Sequence, residues 1–182
     1  MKVRALGLGA AVLLALMSGC GGQAEPDQAA PGSGEQVAGP GQDIDLDKID
    51  ACALLSDDEL RAFFGEPPGE KTPKPAPYLR GCALDDASGT SYVFVAVQTS
   101  PIGDKRQFDH DRSQSRKPMD VTGVGEEAFG GYDDDSATVE TRYRGVLVIL
   151  SLVLYSNTGK LDEPAATFER LTVLTKHALA RL

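Results

Sequence analysis

The sequence predicts one α+β domain, a mainly antiparallel β-sheet with a short N-terminal helix and a longer C-terminal helix packed on it. Three observations carry this. Leu55-Ser56-Asp57-Asp58-Glu59-Leu60 is a helix-start signature, residues 146–155 are a nearly continuous apolar run, and apolar residues recur at helical spacing after Pro164.

In chain order, Ser56 can cap the amide of Glu59 while Glu59 reaches back to Ser56, and Leu55 can staple onto Leu60. Asp57 and Asp58 suit the positive end of a helix dipole. Gly65 and Pro67-Pro68 stop this helix, which spans about residues 57–64. Residues 66–77, rich in Pro and Lys, read as loop. Residues 78–84 and 91–99 read as two strands around the turn Asp85-Asp86-Ala87-Ser88-Gly89. Residues 104–117 hold five bases, three acids and one large apolar side chain, Phe108, and read as a loop or a poorly packed helix. Residues 138–144 alternate polar and apolar. The run VLVILSLVLY after Gly145 reads as a central strand buried on both faces. Asp162 caps the last helix, with Pro164 in its first turn and Ala166, Leu171, Leu174, Ala178 and Leu182 on its apolar face.

Ahead of the domain, Lys2 and Arg4 form a basic start, and residues 5–17 are a mostly apolar stretch of 13. Leu16-Met17-Ser18-Gly19-Cys20 then places small residues before a cysteine, the pattern of a secretory signal. It resembles a bacterial lipobox, which implies that residues 1–19 are removed and that Cys20 carries a diacylglyceryl thioether. Residues 20–47 are the lipidated cysteine and an acidic Gly/Pro/Ala-rich tether that has almost nothing to bury. Its flexible reach is about 30 Å. Residues 48–182 form the single domain. The expected location is extracytoplasmic, lipid-anchored to the outer face of the cell membrane.

The chain of 182 residues carries a formal charge of −9, which opposes a nucleic-acid partner. Loss of residues 1–19 removes Lys2 and Arg4 and leaves 16 basic against 27 acidic side chains. Residues 21–47 contain six of those acids and no base, so much of the net charge sits in the tether.

Cys52 and Cys82 remain as an even pair in an exported domain, and a structural disulfide is expected. A metal pair would need two further ligands, with only His110 and His177 to draw on. A redox dithiol more often has C-x-x-C spacing.

Residues 50–60 (DACALLSDDEL), Gly81-Cys82 and residues 121–129 (VTGVGEEAF) follow in order, with the lipobox ahead and a helix behind. Over residues 48–182 the chain resembles the actinobacterial lipoproteins catalogued as domain of unknown function thirty-five fifty-eight. The resemblance implies an envelope lipoprotein with no assigned activity, and it transfers no catalytic residue.

Gly123-Val124-Gly125-Glu126-Glu127-Ala128 fits the dinucleotide fingerprint on paper. Only a short segment precedes it, and its two acids would face the phosphates, so a glycine-shaped turn delivering Ala128 and Phe129 to the core is preferred. Asp133-Asp134-Asp135 could offer oxygens to Ca²⁺, but three adjacent acids lack the spread of such a site and read as a solvated loop. Asp109-His110-Asp111 resembles an acid–base cluster whose side chains diverge, and His177 reads as a surface residue near a helix C-terminus.

No catalytic residue, metal or cofactor is expected. The expected function is a non-catalytic binding or accessory module, engaging an envelope protein, a cell-wall polymer or a small apolar ligand. The alternative is a tethered hydrolase whose acids and His110 converge in the fold. The candidate partner-binding loop is 123–135, with four glycines, five acids, Phe129 and Tyr132. Its site residues are Phe129, Tyr132, Asp133, Asp134 and Asp135, whose acids favour a cationic partner. The bland reading makes Phe129 core, the glycines turns and the acids solvated surface.

Overall fold

The computed structural model describes residues 44–155 and 159–182. The expected signal segment, Cys20 and most of the tether lie outside the described residues. The packed chain starts before residue 48. Ile44 and Leu46 already rest on the core, and Asp47 pairs with Arg80.

Helix α1, Asp57–Phe64, begins and ends where its sequence dictates. Ser56 Oγ accepts from the Glu59 amide at 3.3 Å, and the Glu59 carboxylate accepts from the Ser56 amide at 2.8 Å. At the other end Gly65 takes φ 80°, and its N–H donates to the Arg61 carbonyl.

The Pro- and Lys-rich segment expected to be loop is instead strand β1, Pro68–Ala76. It pairs antiparallel with β2, Leu79–Asp86, which pairs with β3, Ser91–Gln98. Proline is tolerated because β1 lies at the sheet edge. Pro73 and Pro75 share one strand parity, so their missing donors fall on the side with no neighbour. Lys71 fastens the strand to α1 by an ion pair to Asp57 at 2.7 Å.

Residues 104–117 form helix α2, Asp104–Gln114, with Phe108 as its one buried side chain. After the two-residue β4, Met119–Asp120, come β5, Glu127–Tyr132, β6, Ser136–Tyr143, and β7, Val146–Leu154. The candidate loop 123–135 is therefore corrected: its middle is a strand, and only the glycine turn before it and the Asp133–Asp135 turn after it are irregular. Helix α3, Pro164–Leu179, closes the chain. Asp162 does not cap it. Glu163 occupies the N-cap with φ 53° and makes no side-chain cap bond, while the Asp162 carbonyl accepts from Thr167 Oγ1.

Among the described residues seven strands form one antiparallel sheet in the order β1-β2-β3-β7-β6-β5-β4, with β7 at its centre. The expected burial of β7 on both faces is corrected: Ile149, Ser151 and Val153 on its second face are only half-buried. One face carries Val93, Val95, Val97, Val139, Val148 and Leu150, buried against Leu60 and Phe63 of α1 and Leu171, Leu174 and Ala178 of α3. Cys52 and Cys82 are joined as expected, with Cα atoms 5.1 Å apart, tying the chain before α1 to β2. On the opposite face α2 packs, among the described residues, through a separate small cluster of Phe108, Phe129 and Leu147.

Candidate functional site

Where the chain leaves α2 it runs past the end of β5 and leaves a cleft of about 670 Å³. One wall is Ser115, Arg116 and Lys117. The other is Phe129 to Ser136 with Thr138. Ser115 directs the first wall, because its N–H and Oγ both donate to the Asp111 carbonyl at 3.1 Å while its backbone turns extended. Arg116 and Lys117 thus leave the helix as exposed side chains.

The second wall depends on two glycines. A Cβ at Gly130 would stand 2.3 Å from the Thr138 carbonyl and 2.7 Å from the Phe168 ring, so β5 can lie under α3 only without a side chain there. At Gly131 a Cβ would meet just the Lys117 carbonyl, at 3.4 Å. There the two walls approach to about the width of a methyl group.

The structure brings all five expected site residues to this cleft, in different roles. Phe129 lies in the core, where the glycine-turn reading put it, and not among the exposed contacts of the candidate loop: it is 4% exposed and meets Phe108 edge-on at 5.1 Å. Tyr132 is 44% exposed, its ring 5.7 Å from that of Phe168. Asp133 Oδ1 accepts from the Ser136 hydroxyl and amide and the Asp135 amide, which closes the turn and lowers the Asp133 pKa, the Ser136 hydroxyl contributing most. Asp134 pairs with Lys160, and the Asp135 carbonyl accepts from the Leu154 amide. The acidic turn is a braced structure with charged tips.

Glu140, which the sequence reading passed over, lies two residues beyond Thr138 on the same face of β6. It is 6% exposed, and its Oε1 is buried with no hydrogen-bond partner. Burial pushes its carboxyl up to about 8, and Asp111 on α2 adds to this by charge and by hydrogen bonding the protonated form. Next on that face, Arg142 pairs with Asp104 at 3.0 Å and with Glu126 and Glu127 at 3.3 Å. The period-two spacing of Thr138, Glu140 and Arg142 in β6, combined with the helix reading of 104–117 with Phe108 and Asp111 on one face, was the signal that could have brought Glu140 and Asp111 together.

The other singled-out residues do not converge. Asp109 turns to Lys105, Asp111 accepts from the Gln107 side chain, and His110 is exposed. The glycine fingerprint is a turn leading into a strand, with no helix to receive a phosphate: Gly125 has φ 58°, and a Cβ there would strike Thr141 Oγ1 at 2.2 Å. His177 Nδ1 sits 2.9 Å from Glu59 Oε1, as does Arg181. Burial pushes Glu59 up, but Arg181 and Ser56 outweigh it and bring the carboxyl down to about 2. Among the described residues no group of three or more His, Cys, Asp or Glu is placed to hold a metal ion, and no helix is long and apolar enough to cross a membrane.

Among the described residues, seven antiparallel strands, three α-helices and a mixed-charge cleft define a small α+β domain. The chain belongs to the family described as Protein of unknown function (DUF3558), whose model matches residues 15–162. No curated protein and no solved structure matches it.

Proposed function

We propose that the protein is a lipid-anchored lipoprotein of the cell envelope that acts as a non-catalytic binding or accessory module, with the cleft beside α2 as its binding surface. The observation that carries this reading is the cleft itself. It sets the exposed bases Arg116 and Lys117 opposite the acidic turn 133–135, over a floor of Phe129 with Tyr132 at the rim. Opposed charges around an aromatic suit a partner that brings apolar contact and both charge signs, an envelope protein or a cell-wall polymer. The lipobox-like segment ending in Cys20 supports the anchor, and two acyl chains hold a protein durably where one does not.

The test combines Tyr132→Ala with Asp133→Asn, Asp134→Asn and Asp135→Asn. The amide oxygen of the first Asn can still close the turn, so the fold is retained. Cross-linking on intact cells with native and substituted protein should recover a partner that the substituted protein loses at least tenfold. Equal recovery at every salt concentration, with the fold intact, overturns the cleft as the site. Mass spectrometry of the N-terminal peptide should show a lipid adduct on Cys20, and an unmodified Cys20 in the medium overturns the anchor.

A further inference from the structure

Helix α2 is lightly secured for its length of 11 residues. It buries Phe108 alone, in a cluster separate from the main core, and its N-cap Gly103 offers no side-chain bond. Its fastenings are otherwise polar: Asp104 to Arg142 near its start, Lys105 to Glu127 along it and Arg112 to Asp120 near its end. Between these lies a contact that opposes them as soon as it ionises. Glu140 faces α2 from the sheet with a buried, unpartnered oxygen, and Asp111 stands over it.

The surroundings supply no counter-charge. On α2, Lys105 is taken by Asp109 and Glu127, Arg112 by Asp120, and Asp104 by Arg142. On β5, Glu127 adds negative charge and Phe129 lies directly opposite Glu140. On β6 itself Arg142 is shared among three acids, and β7 presents Leu147, Ile149 and Ser151 to this side. No ion pair among the described residues reaches Glu140. Asp111 already accepts from Gln107 Nε2 on both oxygens, at 2.9 and 3.1 Å, so it is placed as the acceptor and Glu140 as the group that keeps the proton.

We propose that Asp111 and Glu140 form a proton-held latch: the proton on Glu140 clamps α2, and with it the 115–117 wall of the cleft, onto the sheet, and its loss frees both. When Glu140 gives its proton to bulk water, the hydrogen bond to Asp111 is lost and two carboxylates face each other in a site poor in water. The repulsion is relieved by moving Asp111 away. The Asp104–Arg142 pair holds the start of α2, so the motion is a hinge about Gly103 that swings the far end outward against the exposed Arg112–Asp120 pair. Because Ser115 is bonded to the Asp111 carbonyl, the cleft widens with it. The latch is a property of the apo domain and stands whether or not the cleft is the binding surface.

Amide hydrogen exchange of the full chain from pH 6 to pH 10, corrected for the intrinsic base-catalysed rate, tests it. Protection of residues 104–114 should fall by about tenfold or more around pH 8, while α1 and α3 keep theirs. Glu140→Gln, neutral at every pH, should hold α2 protected throughout. Should that variant fail to fold, Asp111→Asn decides: the new amide donates to the ionised carboxylate, and the response should vanish. Unchanged protection of α2 in the native chain overturns the latch. So does the same response in the folded variants, or a loss in α1 and α3 in step with α2.

Discussion

Gly130 and Gly131 are neighbours with opposite obligations. At Gly130 a Cβ would collide with backbone, the Thr138 carbonyl, and with the Phe168 ring, and neither the strand nor the helix can yield cheaply. Gly130→Ala should therefore cost about 1–3 kcal/mol. Gly131→Ala, which meets one carbonyl at the edge of ordinary contact, should stay within about 0.5 kcal/mol. Denaturant midpoints of the two variants check the contrast. Glu59 gives a residue-scale prediction in pH. Its carboxyl lies at about 2 in the fold against an ordinary 4.5, so the folded state binds fewer protons between those values. Its contribution to stability is fully present above about pH 4.5 and is lost as pH falls through about 2. Thermal midpoints should show Glu59→Gln well below native at pH 6, with the gap closing toward pH 2. A gap that stays constant contradicts the assignment. Glu59 was legible as a capping residue because its partner is three positions away. Its ion pairs to His177 and Arg181 were not, since they join chain ends more than a hundred residues apart.

At the scale of elements, the helices differ in what holds them. Helices α1 and α3 lean on the main core, whereas α2 rests on Phe108. Phe108→Ala should raise hydrogen exchange across 104–114 by at least tenfold and leave α3 unchanged, because the small cluster supports α2 alone. Equal loosening of both helices would mean that the two clusters act as one core. The elements also show where pattern reading meets its limit. The β7 run was legible as a central strand because of its length of nearly unbroken apolar character, although only its α1/α3 face is fully buried and Ile149, Ser151 and Val153 on the other are half-buried. Strand β1 was not, because it has one neighbour and so obeys neither the alternation nor the proline rule of an interior strand. For the same reason Gly130 and Gly131 in β5 read as loop: packing under α3 and beside Lys117, not propensity, places glycine there.

For the whole molecule, the disulfide links the approach to α1 with β2 across a sequence separation of 30 residues. Closing a loop of that size is worth about 3–4 kcal/mol in the chain-entropy model. Replacing both Cys52 and Cys82 by Ala should lower unfolding stability by that order while the folded sheet persists, as measured by denaturant titration with and without reductant. A variant as stable as the native chain would show that the bridge constrains nothing the strands do not already hold.

The sequence by itself determined the caps of α1, the central strand, the cysteine pairing and the α+β class, because each depends on residues close in the chain or on burial that composition reveals. The tertiary structure alone decided the proline-bearing edge strand, the pairing of Phe129 with Phe108 of α2, and the meeting of Asp111 with Glu140. Those depend on which strand lies at an edge and which face a helix covers. A carboxyl that is ordinary in the sequence becomes a proton-keeping group once α2 closes over it and removes the water that would have stabilised its charge.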